Sequence, residues 1–168
     1  FLDHAERRSD APALRYKEGG SWHDITWSDY RRRVLRTAAA LHSMGLSSGD
    51  RIGLLSTNRV EWLVSDLAAL SLGCVTVPIY PSSIPEQVEY ILQHSAAKAI
   101  FVEDQEQLSK VETAREACPS LGKAILLSGS SSEDDEHTLD WAFVQELGAE
   151  AGDEGATAVE SGAQELDP

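Results

Sequence analysis

The chain has 168 residues, of which 42% are hydrophobic and 25% are charged, with 12 glycines, 6 prolines and 2 cysteines. This composition excludes a collagen-like chain, a mostly disordered chain and a disulfide-dense scaffold, and is typical of one globular domain or part of a larger protein. The formal net charge is −14, because 28 acidic residues outnumber 14 basic ones.

The excess acid is concentrated near the end of the chain. Residues 1–132 hold 16 acidic and 14 basic side chains, whereas residues 133–168 hold 12 acidic side chains and no basic one. The main basic cluster, Arg31 to Arg33 with Arg36, has helical spacing and favours a solvated helix face over a nucleic-acid surface. We therefore expect no nucleic-acid partner.

The sequence was searched for targeting signals and for cysteine patterns that indicate a cellular location. No apolar run is long enough for a membrane span, and the N-terminus lacks the pattern of a signal peptide. Cys74 and Cys118 lack CxxC spacing and stand in apolar surroundings, which favours a reducing, cytoplasmic location. The first residue is Phe1 rather than methionine, which suggests a piece of a longer protein.

The first 45 residues predict two helices and a hairpin. Residues 1–10 favour a short helix, and two extended runs around Gly19-Gly20 predict a β-hairpin. Thr26 and Asp29 form a helix-start pattern, and apolar residues then recur every three to four positions up to Gly45, which predicts a helix over 27–44.

The next segment alternates short apolar runs with helical patterns. Four predicted strands (RIGLLS, CVTVPI, AIFV and KAILL) are separated by three predicted helices, the first of which Asn58 is expected to cap. This order predicts an α/β fold: a mostly parallel sheet with helices on both faces, preceded by a β-hairpin. Residues 1–127 are predicted to form this α/β part, and 128–168 an acidic, weakly ordered segment with one helix near 140–149.

The loops that follow the predicted strands contain no recognised phosphate-binding motif. They begin with TNR, YPSS and EDQ, so neither G-x-G-x-x-G nor G-x-x-x-x-G-K-[ST] is present. The sequence therefore gives little support to a dinucleotide-dependent dehydrogenase.

Isolated reactive side chains do not form a catalytic or metal-binding pattern. The histidines lie far apart in the sequence, without metal-ligand spacing, and the EDDEH run is best explained as solvated charge. Ser56, Ser82 and Ser83 lie outside any G-x-S-x-G elbow, the two cysteines are expected to be inert, and Asp66 is expected to face solvent. The five histidines are His4, His23, His42, His94 and His137.

Residues 45–92 carry dense likeness to a known family. The segments GDRIGLLSTNRVEW and LAALSLGCVTVPIYPS, with TWSDYRRRVLRTAAALHSMG upstream, resemble the amino-terminal region of the AMP-forming acyl-CoA synthetases, the adenylate-forming superfamily. The likeness spans about 1–127 and is greatest to long-chain fatty-acid CoA ligases. The resemblance implies an incomplete first subdomain of such an enzyme.

The resemblance also implies a reaction and its cofactors. A fatty-acid carboxylate attacks the α-phosphate of ATP with Mg²⁺, and CoA then displaces AMP, so ATP, Mg²⁺, CoA and a fatty acid are implied for the parent protein. The family's phosphate loop, Y-T-S-G-T-T-G-x-P-K-G, does not occur in the 168 residues. No catalytic, cofactor-binding or metal-ligating residue of the family is therefore assigned to any position, and we expect the chain alone to bind none of these cofactors.

Two hypotheses follow for function. The first is an N-terminal fragment of a long-chain fatty-acid CoA ligase, inactive by itself, whose parent is cytoplasmic with peripheral membrane association as a further option. The second is a non-catalytic, stand-alone α/β binding module with an acidic tail. The reading frame directly downstream distinguishes them, since a Ser/Thr/Gly-rich loop there supports the first and a natural stop codon the second.

Overall fold

The computed structural model describes residues 1–132, 135–151 and Val159, and these residues contain seven strands and six helices. The helices are α1 (Leu2–Arg7), α2 (Trp27–Ser43), α3 (Val60–Ser71), α4 (Pro85–Ser95), α5 (Gln105–Ala114), which a 3₁₀ turn (Arg115–Ala117) extends, and α6 (Trp141–Glu150). The strands are β1 (Pro12–Glu18), β2 (Ser21–Thr26), β3 (Arg51–Leu55), β4 (Val75–Ile79), β5 (Ala99–Val102), β6 (Lys123–Leu126) and β7 (Thr138–Asp140).

The last five strands form one parallel sheet in the order β4-β3-β5-β6-β7, while β1 and β2 pair as a separate antiparallel hairpin. Alternate residues of a strand point to opposite faces, and both faces here are apolar. Phe101 and Ile125 pack in a cluster with residues of α2, α3 and α6, whereas Ile100 and Leu126 pack with residues of α4 and α5. The predicted α/β class, with a parallel sheet between two helical layers and a preceding hairpin, is confirmed.

Helix α2 begins and ends where the sequence pattern predicts. The Thr26 hydroxyl accepts a hydrogen bond from the Asp29 backbone N–H at 3.2 Å, which satisfies a free donor of the first turn. Val34 and Leu41 are fully buried on its inner side, and Gly45 follows the helix with a positive φ of 84°. The prediction for Asn58 is wrong, because the N-cap of α3 is Arg59 and no side chain caps that helix.

The described residues beyond 127 include one strand and one helix. Strand β7 pairs in parallel with β6 and is a fifth strand that the sequence pattern did not reveal, and α6 covers the predicted helix near 140–149. Much of the predicted weakly ordered segment, including 133–134, 152–158 and 160–168, lies outside the described residues. The domain boundary at residue 127 stays a prediction.

Candidate functional site

The order of the strands creates a crevice between the carboxyl ends of β3 and β5. The chain passes from β3 outward to β4, then crosses back to β5 on the other side of β3. At such a reversal, the loops that leave neighbouring strands diverge, and open parallel sheets usually bind their ligands there. The loops after β3 and β5 are therefore the first place to look for a site.

These two loops are joined by one carboxylate. Glu103, the residue after β5, accepts a hydrogen bond from the Thr57 backbone N–H at 2.6 Å and another from the Thr57 hydroxyl at 2.8 Å. The Glu103 backbone N–H donates to the Leu55 carbonyl at 3.0 Å. Because hydrogen bonds to an ionised carboxylate are stronger than neutral ones, the link holds the β3–α3 loop in place.

A cleft of about 580 Å³ opens beside this link, and we call it the switch-point cleft. Its walls come from the β1–β2 hairpin, α2, the β3–α3 loop and the start of α3, and include Trp22, which is 66% exposed. Arg59 pairs with Glu61 at 2.7 Å, and Arg15 pairs with Asp24 at 2.5 Å on the hairpin. The cleft has the size of a small-molecule site and a mixed-charge lining.

A second groove lies at the carboxyl end of β4. Tyr80 and Tyr90, which are 81% and 64% exposed, line a space of about 520 Å³ together with Ser82 and Ser83. The Lys110 ammonium donates to the Pro81 carbonyl at 2.6 Å and so fixes the β4–α4 loop. The two predicted serine candidates are thus neighbours in a groove, but no histidine lines it.

The remaining nucleophile candidates, Ser56, Cys74 and Cys118, are buried. Ser56 is buried, and its hydroxyl donates to the Thr57 carbonyl at 2.9 Å. Burial, with a smaller contribution from the Asp50 charge, raises the pKa of Cys74 to about 11, and burial likewise raises the pKa of Cys118. Thiols with raised pKa values are poor nucleophiles at neutral pH.

The histidines and the basic cluster do not converge on a site. All five histidines are exposed, and His94 stacks on Tyr90 with 5.5 Å between ring centroids. The described residues contain no group of three His, Cys, Asp or Glu side chains that could hold a metal ion. Arg33 lines the switch-point cleft, while Arg31 and Arg32 are exposed on α2 and Asp66 is partly exposed on α3.

Thr57 and Glu103 line the switch-point cleft, and the sequence analysis did not single them out. Both belong to loops it searched, TNR and EDQ, but neither is part of a recognised motif. Their contact depends on the strand order, which periodicity does not give. A side chain directly after a buried strand was the one available signal.

The fold and the position of the clefts define the class: a doubly wound α/β domain with two clefts at the carboxyl edge of its sheet. Comparison with known families then gives the particular group. The model of the family described as "AMP-binding enzyme" matches residues 1–163, and the chain belongs to this family.

Several relatives in this family are long-chain-fatty-acid CoA ligases. The chain is 36% identical over 111 residues to the long-chain-fatty-acid CoA ligase FadD15 of Mycobacterium bovis, a match covering 66% of this chain and 18% of that protein. It is 32% identical over 133 residues to the long-chain-fatty-acid CoA ligase heimdall of Drosophila melanogaster. This match covers 77% of this chain and 20% of that protein. The chain thus spans about a fifth of the length of the curated relatives it matches.

Solved structures agree with the fold. The acetoacetyl-CoA synthetase from Streptomyces lividans superposes with a TM-score of 0.76 at 27% identity, over 86% of this chain and 24% of the other. The anthranilate CoA ligase AuaEII in complex with anthranoyl-AMP superposes with a TM-score of 0.77 at 24% identity. The superposition covers 86% of this chain and 27% of the other, and it supports the fold alone. The predicted resemblance to adenylate-forming acyl-CoA ligases is confirmed, and the stand-alone binding module is not favoured.

One further structural finding concerns membranes. Among the helices in the described part of the chain, none combines the length and the apolar character that crossing a bilayer requires.

Proposed function

We propose that this chain is part of a long-chain fatty-acid CoA ligase and supplies its first α/β scaffold. The observation that carries the proposal is the 36% identity over 111 residues to a bacterial long-chain-fatty-acid CoA ligase. The sheet, its two helical layers and the open carboxyl edge are the features that such a scaffold contributes.

The reaction of the proposed parent has two balanced steps. A carboxylate oxygen of the fatty acid attacks the α-phosphorus of ATP, the bond to the β-phosphate oxygen breaks, and pyrophosphate leaves. The CoA sulfur then attacks the acyl carbon, AMP leaves, and the thiol proton passes to solvent or to a base. Stabilising charge at the phosphorus centre requires positioned donors and Mg²⁺.

The residues of this chain do not fit a complete site for ATP or Mg²⁺. No glycine-rich phosphate loop occurs in the sequence, and the described residues hold no acidic cluster of metal-binding size. We therefore derive no step through these groups on any residue here. In this proposal the contacts to ATP, Mg²⁺ and CoA come mainly from other parts of the parent.

The test uses the full-length product of the gene that encodes this chain. ATP–pyrophosphate exchange should depend on added fatty acid and should be strongest with long acyl chains. A product without any fatty-acid-dependent exchange, or exchange supported only by aryl or acetyl acids, would overturn the proposed substrate class.

A second experiment separates the scaffold role of this chain from a catalytic one. Isothermal titration of the 168-residue chain with MgATP should give no saturable heat, because the sequence has no phosphate loop. Micromolar MgATP binding by the chain alone would contradict the scaffold role while leaving the family membership intact.

Location completes the proposal. We place the parent in the cytoplasm, in peripheral contact with membranes that hold its fatty-acid substrate. Flotation of the full-length protein with neutral vesicles tests the contact, and a protein that stays wholly in the soluble fraction contradicts it.

A further inference from the structure

The amino-terminal edge of the sheet, opposite the two clefts described above, holds a small pocket of about 200 Å³. We call it the amino-edge pocket. It lies between the end of α2, the start of β5 and the loop that leads into β6. Its lining includes Met44, Leu46, Lys98, Ser120, Gly122 and Lys123.

Strand register brings two ammonium groups to this pocket. Strands β5 and β6 pair with Ala99 opposite Lys123, so Lys98 and Lys123 flank the same point of the sheet edge. The Lys98 ammonium is held by Asp50 at 2.7 Å, and the Lys123 ammonium donates to the Glu136 carbonyl. An ammonium has three N–H donors, so both groups are positioned and still have donors to spare.

The charge around the pocket is not balanced by its own lining. No carboxylate lines the pocket, and Asp50 compensates only Lys98. The acceptor that holds Lys123 is a neutral carbonyl. Among the described residues, Lys123 therefore has no carboxylate partner, and a bound anion would supply its counter-charge.

A third cation lies directly behind the pocket. Arg115 donates from Nη1 to the Gly122 carbonyl at 3.0 Å, and its buried Nη2 has no acceptor within the described ranges 1–132 and 135–151. Asp135 lies within electrostatic reach of Arg115. Among the described residues, this edge therefore presents three cations near Gly122, with Asp50 bonded to Lys98, Asp135 near Arg115 and the Glu136 backbone bonded to Lys123.

We propose that the amino-edge pocket binds a small phosphate-class dianion between Lys98 and Lys123. Its volume is below the range of about 300–1,000 Å³ typical of drug-sized ligands, which favours a small ion over a nucleotide. The Ser120 hydroxyl donates to the Ala97 carbonyl at 3.1 Å, so the donors available to the anion are those of the two ammonium groups. The site is separate from the carboxyl edge and does not depend on the ligase proposal.

The probe is inorganic phosphate, titrated calorimetrically into the 168-residue chain at constant ionic strength, because exposed charges are screened over about 8 Å at physiological salt. We expect saturable one-to-one binding with a dissociation constant of about 1 mM or lower. Glycerol 3-phosphate in a parallel titration distinguishes a site for free phosphate from one that also takes phosphate esters, and either ligand supports the proposal.

Lys123→Gln should weaken phosphate binding by about tenfold or more, the change expected when a hydrogen bond to a charged group is lost. Lys110→Gln is the matched control, since Lys110 also donates to a backbone carbonyl but lies beside the β4–α4 loop. It should leave the affinity unchanged. Lys123→Arg keeps the positive charge and should retain most of the phosphate affinity.

Absence of saturable binding of both phosphate and glycerol 3-phosphate by the wild-type chain would overturn the proposal without reference to any variant. Equal losses in Lys123→Gln and Lys110→Gln, with circular dichroism showing both folded, would also overturn it, because they would indicate nonspecific charge attraction.

Discussion

Replacing Gly148 with alanine tests how closely α6 packs on α2. A Cβ atom at Gly148 would overlap the Arg36 carbonyl oxygen and would lie 2.9 Å from the Arg36 Cα atom. These are backbone atoms, so no side-chain rotation relieves the overlap and the helices must move apart. Such a movement would loosen Val144, which is fully buried, and the 2.7 Å hydrogen bond from the Gln145 amide to the Thr37 hydroxyl.

The magnitude follows from two opposing effects. Overpacking a well-packed contact costs about 1–3 kcal/mol. Alanine in place of glycine inside a helix stabilises by up to about 1 kcal/mol, and Gly148 is only two residues from the end of α6, so the gain there is smaller. We therefore expect Gly148→Ala to lower the free energy of unfolding by about 1–2 kcal/mol.

Urea denaturation followed by circular dichroism measures this change through the shift in midpoint. Glu146 is exposed on the same helix, so the difference between Glu146→Gly and Glu146→Ala gives the local helix-propensity effect without overpacking. A Gly148→Ala chain more stable than the wild type would refute the close contact, because propensity alone would then decide the sign.

Two further predictions concern buried titratable groups. With its pKa at about 11, the Cys74 thiol should react with iodoacetamide at pH 8 about a hundredfold more slowly in the folded chain than in urea, and equal rates would contradict its burial. Burial acts to raise the pKa of Asp50, but hydrogen bonds from Lys98 and Ser47 outweigh it and lower the pKa. Stability from Asp50 should therefore be present above about pH 4 and lost as pH falls through the lowered pKa; Lys98→Gln should raise that pKa in an NMR titration.

Elements with a strong hydrophobic period could be predicted from the sequence, and elements held by local polar contacts could not. Helix α2 combines a buried stripe with an N-cap and a terminal glycine, all visible in the sequence. Strand β7 has only three residues in an acidic context. It is organised by the Asp135 carboxylate, which accepts hydrogen bonds from the backbone N–H groups of His137 and Thr138, and no periodicity reports such contacts.

The candidate site shows the same limit at the level of topology. Sequence analysis could place Thr57 and Glu103 directly after buried strands, but it could not give the strand order. In the order β3-β4-β5 the ends of β3 and β5 would be two strand spacings apart, about 10 Å, and the carboxylate could not reach the Thr57 amide at hydrogen-bonding distance. In the observed order β3 and β5 are neighbours, and Glu103 makes both hydrogen bonds to Thr57. The crossover from β4 back past β3, rather than any local motif, therefore places the switch-point cleft.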